Sequence, residues 1–442
     1  MALAGHRTFV GFGFGAIQAG LFLYEAYHSR NFGRLVVAEV VPEMVDAVRG
    51  GGGRFSVNIA HSDRAEAAEV GPLEIENPGS EPDRRRLVEA IVEAEEISTA
   101  VPSVRFYTSP GPGSIHRILA EGLRRKATEG GPRAIVYAAE NHNHAAEILE
   151  AKVFGEIPEN ERARVRSRVR FLNTVIGKMS GVVSDADRIK LQGLATITSG
   201  GQRAFLVEAF NRILISRIRF EDSGEAPPFE RGIKVFEEKD DLLPFEEAKL
   251  YGHNATHALA AYVGVMRGLE FIADLSKHRD IMAFLRAAFI QESGESLIRK
   301  HPGVDPLFTP EGYREYADDL LRRMVNPFLH DSAERVGRDP RRKLAWDDRL
   351  VGTLRVALDQ GVQPSRYAFG TAAALAVLDR QVLETDIPVT TWLDPLWETA
   401  SPDKQEKQRI LDLIEEGRAR LKAWRDSGFE NLEGLFSKDQ AW

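Results

Sequence analysis

The sequence predicts an α/β protein in two parts: a doubly wound, mainly parallel sheet domain over residues 1–240, then a mainly α-helical domain over 241–442. Strand-like and helix-like segments alternate through the first part, the order that βαβ units impose on a parallel sheet. From about Ala255 onward almost every apolar pattern has helical spacing. Between them lies "SGEAPPFERGIKVFEEKDDLLPFEEAK", rich in proline and charge, which sets a boundary near residue 240. A chain of 442 residues exceeds one ordinary core, so two or three domains are expected.

The elements follow from local pattern. "TFVGFG" is a short apolar run ending in glycines, and "AIQAGLFLYEAYHS" after it is helical. "RLVVAEV" is a β-branched strand, followed by "VPEMVDAVRG", which has helical spacing and a glycine stop. "RFSVNIA" and "VGPLEIEN" read as strands and "RRRLVEAIVEA" as a helix. The strands "SVRFYTS" and "RAIVYAAE", with the helix "GSIHRILAEGLRRKA" between them, continue the alternation. In the second part, helices are expected in "ALAAYVGVMRGLEFIADL", "PEGYREYADDLLRRMV", "RKLAWDDRLVGTLRVALDQG", "RYAFGTAAALAVL" and "SPDKQEKQRILDLIEEGRARLKAW". Thr309-Pro310 and Ser401-Pro402 each pair an N-cap with a first-turn proline.

Composition narrows the function. A net charge of −8 argues against nucleic acid as the main partner, because phosphate backbones need a basic face. With no cysteine, disulfides, thiolate catalysis and cysteine-ligated metals are excluded, and a reducing compartment fits. The uncharged run from Thr8 to Tyr24 resembles a signal peptide. Its four glycines, its shortness and the lack of a clean cleavage site argue against export and against a membrane span. A cytoplasmic monomer or small homo-oligomer is expected.

"VGFGFGAIQAG" offers two phasings of a dinucleotide-binding turn, Gly11, Gly13 and Ala16, or Gly13, Gly15 and Gly20. Either way glycines stand where a strand turns tightly into a helix whose first N–H groups can face a pyrophosphate. Glu39, at the end of the next strand, lies where an acid would accept hydrogen bonds from the adenosine ribose. Together these features make the first domain Rossmann-like and favour NAD over NADP.

"EEAKLYGHNATH", Glu246 to His257, crowds a lysine, an asparagine and two histidines into one helix start. His253 and His257 are four apart, yet Asn254 stands where a zinc protease carries its glutamate, and "NHNH" (Asn141 to His144) offers no third ligand. No metal is expected. Asn254-Ala255-Thr256 is a formal glycosylation triplet without a secretory route. Proton transfer remains: oxidation of an alcohol needs a base for the hydroxyl proton and donors for the developing negative oxygen. On a straight helix Asn254 and His257 lie about 60° apart, while Lys249 sits about 12 Å below His257. An irregular turn, which Gly252 would permit, could bring Lys249 back. A solvated lysine and a capping asparagine are the alternative that these residues leave open.

K-x4-N-x2-H at the opening of a helical domain resembles the polyol-specific long-chain dehydrogenases, the mannitol dehydrogenase family, and its phosphate-using branch most. The resemblance extends over nearly the whole chain. "GFGAIQAG" is similar to the family's nucleotide turn, with Gly13, Gly15, Ala16 and Gly20, and "VVAEV" to its ribose-binding strand end. "AAENH" resembles its acid–asparagine element, with Glu140 and Asn141, and "FLNTVIGKM" its second catalytic asparagine segment. "NPFLHDSAERVGRDPRRKLAWDDRLV" resembles the phosphate-using branch. The resemblance implies a zinc-independent mechanism with Lys249 as general base, its pKa lowered by burial against the opposing charge of Glu246. Asn173 and Asn254 would cradle the oxygen, His257 would position the substrate, and Glu246 would stand as the relay acid. Arg323 and Asn326 would contact substrate hydroxyls. Gly177-Lys178 and Gly252-His253 depart from the usual family residues.

Arg335, Arg338, Arg341, Arg342 and Lys343 form a basic cluster in an acidic chain and suit a sugar phosphate, although a solvated helix start with ion pairs explains them too. The expected function is NAD-dependent interconversion of mannitol 1-phosphate and fructose 6-phosphate. The competing readings are a dehydrogenase of a free polyol (mannitol with fructose, or arabinitol) or of a sugar acid, and a catalytically silent dinucleotide sensor.

Overall fold

The computed structural model describes residues 6–210, 212–220 and 228–436. Residues 221–227, partly within the proline- and charge-rich stretch, lie outside the described residues. The chain divides into two compact units, Met1–Leu242 and Leu243–Trp442.

The first unit contains twelve strands among its described residues: β1 (Arg7–Phe12), β2 (Phe32–Ala38), β3 (Phe55–Ala60), β4 (Ala65–Val70), β5 (Glu74–Glu76), β6 (Ala94–Thr99), β7 (Ala134–Ala138), β8 (Val169–Ile176), β9 (Ser180–Val183), β10 (Ala204–Glu208), β11 (Ile213–Ser216) and β12 (Phe236–Lys239). Eight form one sheet in the order β12-β11-β8-β7-β6-β1-β2-β5, parallel except where β11 meets β8. β1 lies between β2 and β6, with Phe9 opposite Leu35 and Val10 opposite Ile97. Winding runs outward from β1 through β2 to β5, then restarts at β6 on its other side. That reversal places a crevice at the carboxyl ends of β1 and β6, where doubly wound sheets bind ligands. The remaining four strands form a second sheet, β4-β3-β10-β9. "RFSVNIA" is therefore a strand as expected, but it pairs outside the main sheet.

One strand differs from expectation. "SVRFYTS" is a 3-10 turn, Val104–Tyr107, and the strand lies earlier, in "AEEIST". Its glutamates hid it. Glu96 is fully buried, accepting from Tyr137 OH at 2.8 Å and from the Gly232 amide, and burial pushes its carboxyl up to about 7. A strand interior that holds a bonded acid does not read as apolar.

The second unit is helical. Its central helix, Ser365–Leu378, is almost wholly buried, and a Cβ on Gly417 of the long helix Lys404–Asp426 would meet the Ala368 carbonyl carbon at 2.5 Å. Backbone contact that close explains the glycine. Thr309 caps Pro310–Met324 as expected, accepting from the Gly312 amide at 3.1 Å. Ser401 does not cap. It has φ +46°, and Asp403 takes the role, accepting from the amides of Gln405 and Glu406. "RKLAWDDRLVGTLRVALDQG" is not one helix either: Pro340–Lys343 and Val351–Asp359 flank an irregular stretch. The helix Arg279–Ala287, continued by Ala288–Gly294 and Glu295–Lys300, has no counterpart in the sequence reading. No helix of the described residues is long and apolar enough to cross a membrane.

Candidate active site

In the first unit the glycine turn is built from three different necessities. Gly13 has φ +86°, and a Cβ there would lie 2.7 Å from the Ala100 carbonyl oxygen. A Cβ on Gly15 would meet nothing within 4 Å, so the backbone is open on that side as the helix begins at Ala16. Gly20 lets the helix press on β10, since a Cβ would lie 2.5 Å from Val207 Cγ1. Gly11 has another reason: Gln18 packs against it inside the fold. The geometry thus fits the phasing on Gly13, Gly15 and Gly20.

Glu39, just beyond β2, accepts from the Phe14 amide at 3.0 Å and the Val41 amide at 2.8 Å. The acid expected at the ribose is bonded to the glycine turn itself. Glu140, beyond β7, is buried and accepts from Thr99 Oγ1 and the Val101 amide, each at 2.9 Å, and from Tyr107 OH. Burial raises its carboxyl above the usual range, and its contacts anchor the loop that follows β6. Asn141, next to it, is exposed. Asn173 lies in β8 with both ends of its amide engaged: Oδ1 accepts from the Ala146 amide at 2.9 Å, and Nδ2 donates to the Glu147 carboxylate at 2.8 and 3.0 Å.

In the second unit Lys249, Asn254 and His257 share one helix that runs from Leu243–Glu247 through a π segment, Ala248–Asn254, into Ala255–Arg267. A π turn bonds residue i to i+5, so Asn254 stands one turn above Lys249 and His257 follows at i+3. One widened turn realigns Lys249 with Asn254 around the axis; the rise along the axis between Lys249 and His257 remains. Burial agrees: Glu246, Lys249, Asn254 and His257 are partly accessible, while Ala248, Gly252, His253, Ala255, Thr256 and Ala258 are buried. Gly252 is a packing glycine, with no left-handed backbone; a Cβ there would lie 2.6 Å from Tyr313 OH and 2.9 Å from Phe289. Behind the helix, Thr256 Oγ1 and Tyr367 OH are 2.7 Å apart, and Ser293 Oγ and Tyr313 OH 3.2 Å.

Burial pushes the Lys249 ammonium down to about 8, the nearby charge of Arg349 pushes the same way, and Glu246 opposes both. His257 is lowered to about 4, chiefly by burial and against the pull of Asp331, and burial carries His253 well below its ordinary value. Both imidazoles are neutral at pH 7. His257 Nε2 is buried without a hydrogen-bond partner among the described residues. No three histidine, aspartate or glutamate side chains of the described residues come together as a metal-ligand set.

The basic cluster is largely committed in place. Arg335 pairs with Asp331, and Arg342 pairs with Asp339 at 2.9 Å and Asp348 at 3.5 Å. Lys343 is buried, donating to the carbonyls of Val336, at 2.7 Å, and Arg338. Arg338 and Arg341 are exposed. Arg323 pairs with Asp319 at 3.4 Å, and Asn326 caps the turn Pro327–Leu329 through the Phe328 amide. Sequence reasoning missed Arg349, whose charge acts on Lys249, His253 and His257. The pair of aspartates before it, "DDR", was the available signal.

Residues 7–224 match the mannitol dehydrogenase Rossmann domain, and residues 241–419 match the mannitol dehydrogenase C-terminal domain. A mannitol-1-phosphate 5-dehydrogenase of Bacillus licheniformis is 31% identical over 326 residues, 73% of this chain and 76% of its own length. The chain belongs to the mannitol dehydrogenase family. It is an oxidoreductase acting on CH–OH groups. The Bacillus subtilis enzyme of the same name is 29% identical, covering 82% of this chain and 86% of its own. Among solved structures, a D-sorbitol dehydrogenase in substrate-free form superimposes with a TM-score of 0.73 at 16% identity, covering 97% of this chain and 95% of that one. The Pseudomonas fluorescens mannitol 2-dehydrogenase, solved with NAD and D-mannitol, gives 0.66 at 17%, covering 99% and 96%. At such identities these two likenesses establish the fold of the family.

Proposed function

We propose that the chain is an NAD-dependent polyol-phosphate dehydrogenase interconverting mannitol 1-phosphate and fructose 6-phosphate, with Lys249 as general base. The carrying observation is that Lys249, Asn254 and His257 are partly accessible residues of one largely buried helix stretch, where burial pushes the lysine ammonium down to about 8. The names of the two Bacillus relatives support the substrate class.

The first unit suits the cofactor. Gly13 makes the turn, Gly15 leaves the backbone open to a pyrophosphate, Ala16 starts the helix, and Gly20 seats it. Glu39 accepts from the ribose hydroxyls, Glu140 holds the neighbouring loop, and Asn141 is presented beside it. NAD, when bound, accepts the hydride that leaves the carbinol carbon.

The chain's own residues manage the proton and the charge. Neutral Lys249 takes the hydroxyl proton on Nζ as the carbon–oxygen bond becomes a carbonyl. Asn254 donates its amide to that oxygen, where charge accumulates. Neutral His257 hydrogen-bonds a neighbouring hydroxyl through Nε2 and so selects which carbon reacts. Glu246 passes the proton from the lysine towards solvent. Asn173 is the candidate second amide donor, a role that requires its Nδ2 to leave the Glu147 carboxylate. Arg323 and Asn326 take further hydroxyls; Arg335, Arg338 and Arg342 are further candidates for the substrate, with Arg335 and Arg342 already paired to aspartates. A cysteine-free chain suits the cytoplasm, and we assign it there as a monomer or small homo-oligomer.

The test is NADH oxidation with fructose 6-phosphate beside free fructose. The reading expects a much larger kcat/KM for the phosphate; equal values for the two would sink the substrate assignment.

A further inference from the structure

Most of the cluster that looks ready for a phosphate is already neutralised by Asp331, Asp339 and Asp348 or spent on backbone carbonyls. Arg338 and Arg341 stand in solvent, where a single charge is screened and weak. Arg349 differs from all of these. Its Nε donates to Asp348 Oδ1 at 2.8 Å, and its own amide donates to the same oxygen at 2.7 Å. The guanidinium is thereby fixed through its inner nitrogen. Its two terminal nitrogens make no hydrogen bond to protein among the described residues, and 12% of the side chain reaches solvent. This is a pre-set fork with its outer prongs unspent.

The surroundings call for an anion. Arg349 acts on Lys249, His253 and His257, and also on Lys343, whose ammonium lies 5.8 Å from the Tyr262 ring centre. Its counter-charge, Asp348, is shared with Arg342. Against these cations the carboxylates nearby are Asp348, Asp339, Asp331 and Glu246. Asp331, Asp339 and Asp348 are bonded to other arginines or shared. A mostly buried guanidinium that shares its aspartate with Arg342 and lies near two lysines gains from a further anion. A phosphate dianion matches a planar fork in both charge and geometry.

We propose that Arg349 is the receptor for the substrate's phosphate and that it couples phosphate binding to Lys249 on the adjoining helix. The proposal rests on the dehydrogenase reading above and adds the residue that reads the anion. In the free enzyme the guanidinium charge favours neutral Lys249; a bound dianion offsets that charge. The acid limb of the pH profile therefore lies lower in kcat/KM, which reports free enzyme, than in kcat, which reports the complex.

Three measurements test it. In Arg349→Gln the ratio of kcat/KM for fructose 6-phosphate to that for fructose should fall on the order of 100-fold, as expected when one side of a close charge pair is lost. In the oxidation of mannitol 1-phosphate its acid limb in kcat/KM should move to higher pH, because a like charge beside Lys249 is gone. Arg349→Lys keeps the charge but not the fork, so the limb should stay while the discrimination falls. Inorganic phosphate should raise the melting temperature of the wild-type protein and fail to raise that of Arg349→Gln, a readout that needs no turnover. If fructose 6-phosphate is not reduced while the phosphate shift still depends on Arg349, the substrate reading fails and this assignment stands. An undiminished phosphate shift in Arg349→Gln, or in Arg349→Lys should the glutamine variant not fold, overturns it. A proportional loss for both sugars with an unmoved limb overturns it equally.

Discussion

The glycine turn of the first unit and the π turn of the second both interrupt regular backbone beside a candidate site, and they are made by opposite means. The first is made by leaving side chains out: Gly13 adopts a conformation that other residues resist, and Gly15 leaves open space. The second is made by packing side chains in. Tyr313 and Phe289 crowd Gly252 from behind, and Tyr367 holds Thr256. A turn of the first kind receives a ligand's backbone-facing phosphates. A turn of the second kind sets the direction of side chains, here Lys249 and Asn254.

The sharpest way to break this contrast is Lys249→Ala. Loss of the base should lower kcat roughly 100- to 10,000-fold, with NAD affinity unchanged because the glycine turn is untouched. In the wild type only neutral lysine can accept the proton, so oxidation should rise with pH through about 8 and then level off. A variant that retains turnover and this profile places the base elsewhere.

Gly13→Ala and Gly252→Ala should then separate the two turns. The left-handed backbone at Gly13 alone costs an alanine about 1–3 kcal/mol, and its Cβ meets the Ala100 carbonyl, so NAD affinity should fall. Gly252→Ala overpacks against Tyr313, again by about 1–3 kcal/mol, but should lower kcat at unchanged NAD affinity. Calorimetric titration with NAD decides between them; parallel losses in both variants would erase the distinction.

Smaller effects sharpen it. Glu39→Ser should cut the preference for NAD over NADP on the order of tenfold, a difference of about 1.4 kcal/mol, read as the ratio of kcat/KM values. Tyr367→Phe leaves Thr256 Oγ1 buried without its partner at a cost of about 1–3 kcal/mol. The melting temperature should drop and kcat should fall less than tenfold, with NAD binding the same. A Tyr367→Phe protein of unaltered stability would show that the hydroxyl pair does not hold the π turn.

The same contrast explains what could be read from the sequence. A glycine turn was legible because residue identity is itself the structural cause, but the residues left two phasings open, and the family resemblance favoured Gly13, Gly15 and Gly20. The parallel sheet and Thr309 cap came from alternation and local chemistry. The π turn was not legible, since no residue type encodes it; only the mismatch between Lys249 and the straight-helix face hinted at an irregular turn. Another π segment, Ala288–Gly294, adds a residue to the helical repeat and broke the apolar pattern of the helix around it. β6 was hidden by Glu95 and Glu96, and the role of Arg349 depends on which aspartate takes which arginine, a matter of three-dimensional pairing.

In the proposed reading Glu39 would link cofactor choice to scaffold. Its carboxylate secures the Phe14 amide within the glycine turn, so the atoms that would discriminate between nucleotides also brace the loop that would cradle them. Redesign towards NADP by deleting that charge alone would loosen the turn at the same stroke. A successful exchange has to supply a neutral acceptor within reach of the Phe14 amide before it supplies a cation for the added phosphate. Selectivity and loop rigidity cannot be engineered at this position one at a time.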